Sequence, residues 1–206
     1  MKPIDQKIYL ASKSPRRREL LRQIGVEFEL LLLRENIARG PDVPELVQPG
    51  EAPLAYVERV TREKAETASA TMLSRRLPVR PVLTADTTVT LDGRILGKPA
   101  DDVEALAMLR LLSGRTHQVL TSIALKHHED FWQTTHASEV TFATLTDATM
   151  RAYSALPEPY DKAGGYAIQG RAAQFIRQIA GSHSGIMGLP LYETAQLLQQ
   201  AGISIL

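Results

Sequence analysis

The stretch Ile8-Tyr9-Leu10-Ala11-Ser12-Lys13-Ser14-Pro15-Arg16-Arg17-Arg18-Glu19-Leu20-Leu21 carries the reading of the fold. The apolar run Ile8–Ala11 stops at Ser12 and predicts a buried strand. A helical pattern then opens at Pro15, runs through Leu20, Leu21 and Ile24, and ends at Gly25. Ser14 suits the N-cap and Pro15 the first helical position. Three consecutive arginines therefore fall in the first turn of a helix, where unpaired N–H groups already concentrate positive charge. Cations placed there oppose the helix dipole, and they make sense when a strong anion such as phosphate occupies the spot.

Outward from this unit, Val26–Leu33 predicts a second strand and residues 34–50, rich in Pro, Gly and charge, a loop. Residues 54–76 predict a long helix with partial apolar periodicity through Val57, Val60, Ala65 and Ala68. Residues 81–85 and 87–91 predict strand, Asp92-Gly93 a hairpin turn, and residues 94–96 its returning arm. Asp101 with Glu104 resembles a capping box for a helix bearing Val103, Leu106 and Leu109. Residues 118–126 and 132–145 predict an antiparallel pair joined by the polar link 127–130. A short helix over 146–156, strands over 166–169 and 173–179, and a terminal helix over 190–200 complete the chain. Strands and helices mix without regular βαβ repetition, so the expected class is α/β (mixed α+β), with an elongated mixed sheet flanked by helices. Residues 1–206 are expected to form a single domain of two lobes around a central cleft.

The composition narrows the function. With 206 residues and a formal net charge of +1, the chain has the size for a real core and no global basic field of the nucleic-acid-binding kind. Attraction for an anion must be local. The absence of cysteine excludes disulfides, thiolate catalysis and cysteine-bound zinc. No apolar run reaches membrane-spanning length and no signal-peptide core precedes the first strand, so a cytoplasmic protein is expected.

Several polar residues invite a chemical role. Asp86 follows the apolar run 81–85, where a carboxylate can hold a metal or deprotonate water; a turn aspartate is the plainer reading. Lys98 lies between Gly97 and Pro99, a constrained place for a point charge or a simple turn lysine. Lys64 sits inside a helix, where a surface ion pair would explain it. His117 reads as structural or solvent-facing, since no second histidine stands at metal spacing. The segment Glu158–Gly170 packs acids, Lys162, the pair Gly164-Gly165 and Gln169 into a short stretch; the glycines permit close backbone approach and Gln169 offers donor and acceptor to a base edge. Ser182 and Ser184, in a flexible loop before the last helix, could bind phosphate. One chemistry accommodates these parts. Asp86 and another acid would bind a divalent metal, Arg16, Lys64, Lys98 and Lys162 would neutralise a polyphosphate, and water would attack phosphorus.

Taken in order, these segments resemble the Maf family of nucleoside triphosphate pyrophosphatases, historically linked with septum formation. The matching pieces are Leu10-Ala11-Ser12 with Ser14–Arg17, Arg62–Ala65, Ala85-Asp86-Thr87, Leu96–Pro99 with Asp101, Leu112–His117, Glu158-Pro159, Asp161–Gly164, Tyr166–Gly170 and Gly188–Pro190. The resemblance implies a fold related to inosine triphosphate pyrophosphatases, a divalent cation (Mg or Mn), and cleavage between the α and β phosphates of dTTP and UTP. It implies Asp86, Lys98 and Lys64 as catalytic residues, with Asp86 the proton acceptor. Ser12, Arg16, Thr87, Lys162 and Gln169 are the implied substrate contacts, Arg16, Thr87 and Gln169 marking substrate choice. The family's acidic metal ligand after the second strand has Asn36 opposite it in a gap-free alignment; Glu35, one position away, is therefore expected to join Asp86 in holding the metal. A 7-methyl-GTP-cleaving sister branch and a non-catalytic nucleotide-sensing regulator of cell division are the alternatives. The expected partner is the nucleotide, with no nucleic acid and no membrane; the resemblance suggests a homodimer.

Overall fold

The computed structural model describes residues 6–34 and 41–205. Strands β1 (Ile8–Leu10), β2 (Phe28–Leu30), β3 (Val82–Leu91), β4 (Arg94–Leu96), β5 (Thr116–His127), β6 (Asp130–Phe142) and β7 (Ile176–Ala180) alternate with helices α1 (Pro15–Gln23), α2 (Pro53–Ser74), α3 (Asp102–Leu112), α4 (Asp147–Ser154), α5 (His183–Ile186) and α6 (Leu191–Gln200). Among the described residues the seven strands form one mixed sheet in the order β2-β1-β3-β5-β6-β7, with β4 pairing the far half of β3. β1 runs parallel to β2 and β3; every other pairing is antiparallel. The class is the mixed α/β one that the sequence predicts.

β3 is the spine. Its near half joins β1 in register Tyr9–Val82 and Leu10–Leu83, and its far half joins β4 through the Asp92-Gly93 turn. Both central turn residues take positive φ, 51° and 76°, as a two-residue hairpin matched to strand twist requires. Along its other edge β3 pairs β5 from Val82–Lys126 to Thr90–Gln118. The core divides along this spine: Ile8, Leu10, Leu21, Leu83, Ile123 and Leu198 form one buried cluster. Leu109, Leu112, Val140, Phe142, Tyr153 and Phe175 form another.

The helix caps follow the local chemistry of their residues. Ser14 Oγ accepts from Arg17 N–H, Pro15 opens α1, and Asp101 Oδ1 accepts from Glu104 N–H while Glu104 reaches back to Ala100 N–H.

Four expectations change. Residues 81–91 form one strand, so Asp86 stands mid-strand opposite Ser122 rather than at a strand end. The acid is tolerated there because a lysine from α2 meets it. The strand predicted over residues 26–33 shrinks to Phe28–Leu30, at the edge of the sheet with Leu30 and Leu32 exposed. Residues 166–169 leave the sheet altogether, bracketed by 3-10 turns at Ala163–Gly165 and Arg171–Phe175. Gly164 takes φ 73° and passes so close to β3 that an added Cβ would lie 2.9 Å from Val89; a backbone so placed cannot continue as sheet. The loop before α6 contains the helical turn α5, capped by Ser182 Oγ accepting from Gly185 N–H.

Candidate active site

A cavity of about 720 Å³ opens beside β3. Ser12, Arg16, Lys64, Asp86, Thr87, Lys98, Lys162 and Gln169 all line it, although they come from α1, α2, β3 and the connections that follow β1, β4 and α4. Seven cationic side chains line it against three acidic ones, while the whole chain carries only +1. The positive field is thus concentrated where a polyanion would enter.

At the centre Lys64, projecting from α2, places its Nζ 2.7 Å from Asp86 Oδ1 and 2.6 Å from Glu45 Oε1. Burial works against its charge, but the two carboxylates outweigh it and hold its pKa above the ordinary value. Burial likewise opposes the Glu45 charge, and Lys64, Lys98 and Arg17 overcome it to depress the Glu45 pKa. Lys98 Nζ stands 3.7 Å from the other Glu45 oxygen. Lys64 is therefore no surface ion-pair lysine.

Glu45 is the acid that sequence reasoning missed. It sits in the loop before α2, and the first turns of α2 hold it there. Tyr56 OH donates to Glu45 O at 3.3 Å, and Arg59 donates to Leu46 O at 2.9 Å while gripping Glu51 at 2.6 Å. Burial, then the nearby charges of Asp86 and Glu45, push the Tyr56 phenol up to about 12. Nothing in the spacing of Asp42, Glu45 and Glu51 singles out one acid, and Asp42 is spent on Arg34 at 3.1 Å. Glu35, expected as the second metal ligand, lies outside the described residues.

Arg17 was also unassigned among the three arginines. Its Nε donates to Gly188 O at 2.7 Å, one terminal nitrogen to Ser12 Oγ at 3.2 Å and the other to Thr87 Oγ1 at 3.2 Å. Burial pushes its pKa down, with Asp86 and Glu45 pulling the other way. Among the described residues no carboxylate pairs with it, so a partly buried cation meets only neutral oxygens and keeps two of its five N–H donors for a ligand. A signal was available: Arg17 lies three and four positions before Leu20 and Leu21, on the inward stripe of α1.

Thr87 is committed to this anchor. Thr121 gives its hydroxyl proton to Gly185 O at 2.7 Å, so Thr87 donates to Thr121 Oγ1 at 3.0 Å while accepting from Arg17. Lys162 Nζ donates to Glu158 O at 2.7 Å; burial first, then the charge of Arg16, lowers its pKa. Gln169 is exposed on the rim, and its amide has no protein partner among the described residues. The fold of this rim depends on Glu158, which accepts from Tyr153 OH, Arg171 N–H and Ala172 N–H. Ser182 and Ser184 do not line the cavity: both hydroxyls cap backbone groups, Ser184 accepting from Leu191 N–H. His117 is buried structure, its Nε2 2.7 Å from Tyr166 OH.

The donor set suits a hard divalent cation. Asp86 and Glu45 converge on the Lys64 ammonium, and carboxylate oxygens are the donors that hard cations take. Among the described residues no group of three or more His, Cys, Asp or Glu is placed to hold a metal ion.

Residues 7–201 match the family described as Maf-like protein. The chain belongs to the Maf-like family. Among curated relatives, a dTTP/UTP pyrophosphatase of Aromatoleum aromaticum is 55% identical over 98% of each chain. One of Dechloromonas aromatica is 49% identical over 95% of this chain and 98% of its own. One of Ralstonia nicotianae is 53% identical over 96% and 95%. The solved Staphylococcus aureus Ham1 protein shares the fold with a TM-score of 0.53 at 15% identity, covering 95% of this chain and 99% of its own. No helix among the described residues of this Maf-like protein is long and apolar enough to cross a membrane.

Proposed function

We propose that this chain is a divalent-metal-dependent pyrophosphatase that converts dTTP and UTP, with water, to the monophosphate and pyrophosphate. The observation that carries the reading is the Asp86–Lys64–Glu45 cluster set within an excess of cationic side chains in one cavity. The names borne by relatives of about half identity supply the nucleotide class.

In this reading Arg16, Arg17, Lys98 and Lys162 hold the triphosphate as fixed cations, neutralising a charge that it carries in the bound substrate as in the transition state. Lys64 fixes one Asp86 oxygen, which leaves the other to take a proton from the attacking water. Asp86 and Glu45 would hold the divalent cation, whose chemistry is to neutralise phosphate oxygens and lower the pKa of bound water. Gln169 reads the base edge with its unpartnered amide. Thr87 influences substrate choice through the Arg17 it supports. Residues from both sides of β3 close on the cavity, in keeping with two lobes of one domain.

The test is a nucleotide panel with Mg²⁺ or Mn²⁺ and resolved products. Pyrophosphate with dTMP or UMP is the expected outcome. Orthophosphate would overturn the cleavage site, and preference for 7-methyl-GTP the assigned branch. Nucleotide binding without metal-dependent turnover would mark a sensor. Asp86→Asn should lose on the order of a thousandfold in kcat; full turnover would remove Asp86 as the base.

A further inference from the structure

Part of the cavity wall stands on a footing outside the cavity. Gly188 O accepts from Arg17, and Gly185 O accepts from Thr121, the hydroxyl that supports Thr87. Both carbonyls belong to segment 181–190, which links β7 to α6. Where the segment leaves the sheet, Ser182 N–H donates to Ser138 Oγ at 3.0 Å and to His136 Nε2 at 3.1 Å. An N–H aimed at Nε2 requires a lone pair there, so the His136 proton sits on Nδ1. From Nδ1 it is donated to Glu193 Oε1 at 2.6 Å. Glu193 lies in the first turn of α6, the helix into which the segment runs. His136 thus ties both ends of the segment to β6. The approach is shaped for it: Gly181 has φ 104°, and a Cβ there would lie 2.9 Å from Ser138 Oγ and 3.1 Å from His136 Nε2. Neither His136 nor Glu193 lines the cavity.

We infer that His136, oriented by Glu193, is a positioning residue that sets the seat of segment 181–190 and, through Gly188 O and Gly185 O, the alignment of Arg17 and Thr87 for the nucleotide. The inference rests on reading Arg17 as part of the triphosphate grip. Loosening the tie lowers the fraction of time that Arg17 is aligned and leaves the groups around Asp86 in place. Binding weakens in ground and transition states alike, so KM rises while kcat holds.

The experiment combines steady-state kinetics on UTP with calorimetric binding of α,β-methylene-UTP. His136→Leu and Glu193→Ala are expected to raise KM and the analogue Kd about tenfold, with kcat within about twofold. Glu193→Gln keeps an oxygen acceptor for Nδ1–H and is expected within about twofold of the unaltered enzyme. Should His136→Leu not accumulate folded, His136→Asn keeps a donor toward Glu193, loses the acceptor for Ser182, and carries the same expectation. Unchanged KM and Kd overturn the inference, as does a loss confined to kcat or a Glu193→Gln variant as impaired as Glu193→Ala. A lowered melting temperature with unchanged KM also overturns it, since a merely structural contact would give that result. Failure of the unaltered protein to hydrolyse UTP would instead overturn the pyrophosphatase reading, and the analogue Kd values would still judge the tie.

Discussion

Replacing His117 by leucine should make the protein less stable near pH 8 and more stable near pH 4.5. The imidazole is 2% exposed, and burial depresses its pKa from 6.5 to about 4. Between those values the unfolded chain binds a proton that the folded chain refuses, so stability falls as pH falls through the window. The gap of 2.5 units between the cited values, at about 1.4 kcal/mol per unit, amounts to roughly 3 kcal/mol. Leucine does not titrate, and every other group contributes equally to both proteins, so the difference between them isolates His117. In exchange the variant leaves the buried Tyr166 hydroxyl without its 2.7 Å partner, a loss of about 1.5 kcal/mol. The edge-on packing of His117 with Phe142 and Tyr166, ring centroids 5.2 and 5.4 Å apart, is replaced by aliphatic contact of similar volume. The two stability curves should therefore cross about one pH unit below 6.5. Urea unfolding of both proteins, at half-unit steps from pH 8 to 4.5, measures this directly. A stability difference that stays constant across the range would refute the argument, because it would mean that the folded protein accepts the proton as readily as the unfolded one.

Three further outcomes follow from the site. Arg59→Ala should free the loop bearing Glu45 by removing the contacts to Leu46 O and Glu51; the Mn²⁺ concentration for half-maximal activity should rise about fivefold, on the order of 1 kcal/mol, while circular dichroism stays unchanged. Lys64→Met removes the cation shared by Asp86 and Glu45 and leaves Lys98, 3.7 Å from Glu45, as the remaining ion-pair partner among the described residues. With Glu45 partly in solvent, the loss should be about 1–3 kcal/mol, and Mn²⁺ should raise the melting temperature more in this variant than in the unaltered protein. Gly170→Ala would drive its Cβ into the Glu158 carboxylate; displaced, that carboxylate gives up Arg171 and Ala172 N–H, and urea unfolding should show a loss of about 2–4 kcal/mol.

The features that could be read from the chain are those settled by near neighbours. Ser14 and Pro15 start a helix through their own hydroxyl and ring. Asp92-Gly93 adopts the turn that its two residues favour, and Asp101 caps α3 from three positions away. The strand predicted over 166–169 failed for the same reason in reverse. Its apolar residues look like sheet, but Gly164 is pressed against Val89 and Glu158 captures the following N–H groups. Both partners are distant in sequence or give no periodic signal. Splitting β3 at Asp86 was a further misreading: a carboxylate inside an apolar run suggests a strand end unless its lysine, 22 positions earlier, is known to reach it.

The chain by itself singled out Arg16, Lys64, Asp86, Lys98 and Lys162 as candidates, because each stands in a short motif that can be read without its distant neighbours, and all five line one cavity. Only the tertiary structure brings Glu45 to Lys64 beside Asp86 and fixes Arg17 against Gly188 O, Ser12 and Thr87. Arg17 owes its orientation to a carbonyl 171 positions away, and Glu45 owes its place to Tyr56 and Arg59 gripping the loop that carries it. Such contacts depend on how the chain closes on itself, and no short-range preference of the residues specifies that closure.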